Sequence, residues 1–293
     1  MADRANAKSD PATWIGDCIR EYAASGENDL HLGGGREPAW DEPLIGFSRG
    51  SDPLYQRFKE DIGPFVWTPQ EIFTATFPDV QAAPDDLTVI SWILPQTERT
   101  RLDNSRETSF PAERWAHSRK EGEDFNVNLR NHVVAVLREA GYEAVAPMLS
   151  PLWKWEKSDR YGFASSWSER HAAYAAGLGT FGLCDGLITP RGKAMRCGSV
   201  VARIAVPPSK RPYDDHHAYC LFYFDGSCGK CIKRCPADAI TREGHDKGKC
   251  YHYLHDVTEQ YSRSRFGVDT HPCGLCQTGV PCEATIPVPG RAG

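Results

Sequence analysis

Cysteine spacing carries the chemistry of this 293-residue chain. Eight of its eleven cysteines lie between Cys220 and Cys282, and five of them read Cys228-x2-Cys231-x3-Cys235-Pro236 and Cys273-x2-Cys276. Short loops of this kind deliver several soft thiolates to one point, which is what iron–sulfur ligation needs. A cubane 4Fe–4S cluster takes four thiolates, so eight cysteines fill two clusters with none left over. The function expected from these residues is electron movement. The competing reading is one zinc ribbon built from Cys228, Cys231, Cys273 and Cys276. It would leave Cys220, Cys235, Cys250 and Cys282 without a role.

In two-cluster ferredoxins the cysteine that precedes proline crosses to the other cluster. On that pattern Cys228, Cys231 and Cys282 share a first cluster, while Cys235, Cys250, Cys273 and Cys276 hold a second. The first cluster lacks its usual fourth position, three residues before Cys228, where Asp225 stands. Cys220 lies five residues further upstream and is the softer ligand, so it is preferred over Asp225. Cys282 also departs from the pattern, following Cys276 by x5 with glutamate behind it. A helix start is expected at Ala237–Ile240. Cys18, Cys184 and Cys197 read as buried or incidental thiols, with a catalytic role left open for Cys197 beside its glycine-rich segment.

The elements that must position these residues are legible in part. Asp52 and Pro53 open a helix that Gly63 closes, and Thr68 and Glu71 form a capping box around Pro69. Val89–Leu94 is an apolar run of the kind found in buried strands. Residues 123–140 carry Phe125, Leu129, Val133, Val136, Leu137 and Ala140 at helical spacing, Gly141 stops them, and Tyr142–Ala146 reads as a further strand. A strand–helix–strand unit favours an α/β sheet covered by helices. Ser166 and Glu169 suggest a second capping box before an alanine-rich helix over 170–176. Residues 186–189 form a further run before the turn at 190–193, residues 198–206 read as β-structure, and residues 1–12 as frayed. Pro207, Pro208 and Pro212 mark a break, so the expected domains are 1–206 and 207–293.

Hydrophobic content of 40% with 25% charged residues describes an ordinary globular protein, and 293 residues favour two domains. A net charge of −5 disfavours nucleic acid as a partner. No twin-arginine pair, export signal or membrane-length apolar stretch is visible, so the cytoplasm is expected and no membrane partner.

Beyond the cysteines, residues 168–183 (SERHAAYAAGLGTFGL), 187–201 (LITPRGKAMRCGSVV), 228–240 (CGKCIKRCPADAI) and 250–254 (CYHYL) resemble the corrinoid-dependent iron–sulfur reductases. That group comprises epoxyqueuosine reductases and reductive dehalogenases. The resemblance runs from about Val89 to Cys282. It implies a nitroreductase-like, cobalamin-binding α/β domain joined to a ferredoxin-like α+β domain with two 4Fe–4S clusters. It further implies cobalamin contacts at Gly177, Gly179, Gly182, Lys193, Arg196 and Ser199. The alternative for the glycines is a helix cap at Gly177 followed by a tight turn. Proton donors near the block are Tyr161, His171 and Tyr174, with Lys193 and Arg196 able to bind an anion or lower a tyrosine pKa. Trp115, Trp153, Trp155 and Trp167 are candidates for the wall of an apolar substrate pocket.

Two departures separate the chain from epoxyqueuosine reductases. Phe163 stands where the resemblance places an acidic proton donor, and the chain stops eleven residues after Cys282, without their helical-repeat tail. The expected function is therefore a cobalamin- and iron–sulfur-dependent two-electron reduction of a small organic molecule, by dehalogenation or deoxygenation. A ferredoxin or flavodoxin is the expected electron donor. The alternatives are an electron-transfer protein without cobalamin, and epoxyqueuosine reduction on tRNA.

Overall fold

A computed structural model describes residues 9–288. The chain opens with helix α1 (Pro11–Ala24), capped by Asp10 with proline in its first turn. This helix begins inside the stretch expected to fray; residues 1–8 of that stretch lie outside the described residues. Strand β1 (Leu44–Arg49), helix α2 (Pro53–Ile62) and helix α3 (Pro69–Thr76) follow. Both expected caps form, Asp52 on α2 and the Thr68–Glu71 box on α3. Next come β2 (Thr88–Pro95), α4 (Glu98–Arg106), α5 (Glu113–Glu139) and β3 (Ala144–Val145).

Helix α5 starts ten residues before the expected position, through Gly122, which a sequence reading takes as a breaker. The reason lies far away in the chain. The Trp40 indole lies against Gly122, 2.6 Å from where a Cβ would sit, and donates its Nε1–H to the Gly122 carbonyl at 3.1 Å.

A hairpin of β4 (Trp155–Ser158) and β5 (Gly162–Ser165) leads to α6 (Glu169–Ala175) and a second small hairpin, β6 (Thr180–Phe181) with β7 (Leu187–Ile188). Strand β8 (Met195–Ala202) then enters the main sheet, three residues earlier than expected and ending sooner. The sheet order is β1-β2-β8-β3, with every pairing antiparallel. Strands β2 and β3 thus run parallel to each other with β8 between them.

Side-chain alternation sorts the two faces. Ile90, Trp92, Leu94, Val200 and Ala202 face α1 and α5, while Val89, Ile93, Cys197 and Val201 face α2, α3 and α6. The α/β expectation therefore holds as a sheet with helices on both faces. Among the described residues no helix is long and apolar enough to cross a membrane.

The C-terminal part is short elements on loops: α7 (Leu221–Phe224), α8 (Lys230–Lys233), the hairpin β9 (Ile240–Thr241) with β10 (Gly244–His245), and α9 (Lys247–His252). A π-helical stretch, Tyr253–Thr258, runs into α10 (Glu259–Phe266), and a 3₁₀ turn covers Leu275–Gln277. The helix expected at Ala237–Ile240 does not form. Asp238 adopts a left-handed φ of 47° and turns the chain into the β9–β10 hairpin.

Candidate functional site

Four thiols converge on one cavity. Cys220, Cys228, Cys231 and Cys282 line a small pocket, together with Gly182, Ile188 and Lys193. Three short pieces of chain deliver them, with Cys228 and Cys231 on the same one. Cys220 caps the start of α7, Cys231 rides on α8, and Cys282 sits in a turn closed by Glu283 N–H to the Val280 carbonyl at 3.0 Å. Asp225 is not among the lining residues. It stands at the exposed end of α7, its carboxylate accepting from the Ser227 N–H at 2.9 Å, a contact that holds its pKa low.

Of the second expected group, Cys273 lies near Cys235, Cys250 and Cys276. Burial pushes the Cys273 thiol up to about 12, and the nearby Cys250 and Cys235 add to the shift. The Cys235 sulfur accepts the Ala239 N–H at 3.3 Å. Arg234, one residue before Cys235, ties the loops together. Its guanidinium donates to the carbonyls of Leu275 (3.1 Å), Thr278 (3.0 Å), Glu107 (2.7 Å) and Asn104 (3.2 Å).

Cys184, which the sequence reading set aside, lies between the groups. Its thiol is held well below the usual range by hydrogen bonds from Cys231 and Cys276, against the effect of burial and with help from Lys193. The Lys193 Nζ donates to its sulfur at 3.2 Å. The order of the hairpin, with Cys184 in its turn and Lys193 just after it, was the available signal.

The residues expected to meet a corrin are placed as follows. Gly177 caps α6 at φ 79°, and a Cβ there would lie 2.5 Å from the Lys210 carbonyl oxygen. Gly179 meets the Ile188 carbonyl oxygen at 2.3 Å in the same sense. Their open sides are filled by this chain's own backbone. Gly182 and Lys193 face the cysteine cavity. Arg196 pairs with Glu123 at 3.6 Å, and Ser199 is buried between the Trp167 indole and the Glu169 carboxylate. Of these six residues, Gly182 and Lys193 share the cysteine cavity, while Gly177, Gly179, Arg196 and Ser199 are each engaged by this chain's own groups.

The Ser166–Glu169 capping box is absent as well, because Glu169 turns inward to Arg130 (3.0 Å) and Ser199, while Ser166 Oγ accepts from the Lys154 N–H. Burial raises the Glu169 pKa against the pull of Arg130.

Of the proposed proton donors, the structure brings His171 and Tyr174 together around Phe58 and Phe181. Burial drives the His171 pKa down to about 3, with Arg170 and Lys247 adding to the shift, and its Nδ1 lies 2.8 Å from Ser168 Oγ. Its ring is therefore neutral near pH 7. Burial raises the Tyr174 hydroxyl. Tyr161 lies instead on the β4–β5 hairpin under the cations of Arg160 and Lys247. Phe163 stacks on Tyr251.

His171 and Ser168 line a small aromatic pocket, walled by Tyr55, Phe58, Trp67 and Trp167. Of the other expected tryptophans, Trp115 packs against Gly274, Trp155 is largely exposed, and Trp153 leans on it. Cys197 is buried, its thiol pushed up to about 12 by that burial, so it offers no nucleophile.

No family model matches the chain. An epoxyqueuosine reductase from Bacillus anthracis is 32% identical over 120 residues, which are 39% of this chain and 29% of that protein. Among solved structures, a catabolic reductive dehalogenase aligns over 95% of this chain and 37% of its own at a TM-score of 0.51 and 15% identity. In fold, the chain is similar to that reductive dehalogenase. An epoxyqueuosine reductase from Bacillus subtilis aligns over 85% of this chain and 66% of its own at a TM-score of 0.46 and 18% identity. The match to the curated relative thus takes in under a third of that relative's length.

Proposed function

We propose that this chain is an iron–sulfur reductase that passes electrons from an external donor through two 4Fe–4S clusters to a small organic molecule. The cavity ringed by Cys220, Cys228, Cys231 and Cys282 carries the reading, since four thiols around one space are what a single cubane requires. Cys235, Cys250, Cys273 and Cys276 would hold the second. Such clusters, when bound, supply electrons one at a time at low potential. The residues of the chain do the rest. Arg234 fixes the ligand loops, Lys193 presents a buried cation to the cavity, and the pocket of Tyr55, Phe58, Trp167 and His171 excludes water around an apolar ligand. Neutral His171, oriented by Ser168, offers that ligand one ring nitrogen for a hydrogen bond.

A small-molecule substrate agrees with the likeness to the dehalogenase, which has been solved with 3-bromo-4-hydroxybenzoic acid. Cobalamin, which the sequence resemblance implies, is left out of the proposal, because Gly177, Gly179, Arg196 and Ser199 are engaged by the chain's own groups.

Anaerobic purification followed by iron and sulfide analysis tests the reading, with about eight irons per chain expected and a broad visible absorption. A colourless protein with one zinc would overturn it. Added hydroxocobalamin is expected to wash off; retention at one corrin per chain would return the corrinoid to the scheme. Reduction of a protein partner without turnover of any halogenated or oxygenated small molecule would favour an electron-transfer role instead.

A further inference from the structure

Lys193 is an unusual residue to find inside a protein. It is 3% exposed, and among the described residues no carboxylate lies within salt-bridge distance of it. Isolated buried ammonium groups are costly unless an anion accompanies them. The chain nevertheless locks this one in place.

The turn Thr189–Gly192 closes on itself, with Gly192 N–H bonded to the Thr189 carbonyl at 2.8 Å, and Gly192 at φ 76° lies against the Glu283 backbone, where a Cβ would meet the carbonyl oxygen at 2.1 Å. Immediately beyond, Lys193 N–H bonds the Cys282 carbonyl at 2.9 Å and Ala194 N–H the Glu283 carbonyl at 3.2 Å. The lysine backbone is therefore tied to one of the cavity's own cysteines, and its side chain lines that cavity and ends 3.2 Å from Cys184 Sγ.

We propose that Lys193 is the fixed counter-charge of the first cysteine cavity and raises the reduction potential of the cluster held there, with Cys184 anchoring the ammonium and serving as a ligand to neither cluster. The inference rests on the cluster reading above. A cubane with four thiolates is anionic, and its negative charge grows by one on reduction, so a buried cation beside it favours the reduced form. No proton or substrate is needed in this step; one electron enters the cluster from the external donor. Cys184 is outside the ring of four that lines the cavity, and it touches Cys231 of one group and Cys276 of the other. From that place it holds the ammonium between the two groups.

The test uses the full-length holoprotein under anaerobic conditions, with redox titration followed by electron paramagnetic resonance. Lys193→Gln is expected to shift the reduction equilibrium of one cluster at least tenfold toward the oxidised form, which is about 59 mV for one electron. Lys193→Arg is expected to stay within threefold of the wild type, and Cys184→Ala to keep about eight irons. An unchanged potential in Lys193→Gln, or loss of about four irons in Cys184→Ala, overturns the inference.

Should Lys193→Gln assemble only one cluster, Lys193→Arg decides. Two clusters at the wild-type potential support a requirement for charge, and the same loss of iron shows a packing role instead. A wild-type protein without two clusters would sink the functional proposal itself, which separates the two failures.

Discussion

Cys220 and Asp225, the two groups expected to compete as a ligand of the first cluster, stand in different surroundings. Cys220 caps α7 and returns to the cavity, whereas Asp225, at the other end of the same short helix, points into solvent toward the Ser227 amide. Cys220→Ala is therefore expected to lower bound iron from about eight to about four per chain, while Asp225→Asn leaves it unchanged; iron analysis of anaerobic preparations checks both.

His171 makes a separate prediction. Its pKa in the folded chain, about 3, lies below the unfolded value near 6.5, so the folded state binds fewer protons between those pH values. Its contribution to stability is complete above pH 6.5 and is lost as the pH falls toward 3. Moving from pH 6.5 to 5 should cost about 2 kcal/mol, a dependence that His171→Gln removes. Denaturant unfolding at the two pH values, wild type against variant, measures it.

Among the elements, those whose signals are local were legible. The eight-residue strand β2 shows as an apolar run, and the caps at Asp52 and Thr68 show as short motifs. Those decided by distant partners were not. Glu169 is drawn from its cap by Arg130, thirty-nine residues away, and Gly122 stays helical because Trp40 covers it. Helix α1 did carry a signal, Asp10 before Pro11, hidden by its place near the terminus.

The proposed cysteine groups follow from spacing, but the place of Gly182 and Lys193 beside the cavity does not. Their partner, the turn at Cys282, lies some ninety to a hundred residues further along the chain. Gly122 gives a test at this scale. Alanine inside a helix normally stabilises by about 1 kcal/mol over glycine. Here the added methyl meets the Trp40 indole, so Gly122→Ala should destabilise by about 1–3 kcal/mol in denaturant unfolding.

For the molecule as a whole, Arg234 is a side chain that joins segments distant in sequence. Its four carbonyl partners come from the end of α4, its following loop, and the turn beside Cys276. Arg234→Met leaves those acceptors unpaired, and a loss of roughly 3 kcal/mol or more is expected, together with loss of iron from the second group. Calorimetry with iron analysis reads both.

The stretch after the expected break at Pro207 is stitched down as well. Ser209 N–H bonds the Phe47 carbonyl at 2.8 Å, Arg211 grips Asp52 and the Ala175 carbonyl, and the Tyr213 hydroxyl donates to the Tyr174 carbonyl at 2.8 Å while accepting from Gly179 N–H. A strap fastened at so many points is no swinging tether. Any current between the cysteine groups and the aromatic pocket must then cross a gap of constant width. Its rate should follow driving force and distance, and remain indifferent to solvent viscosity.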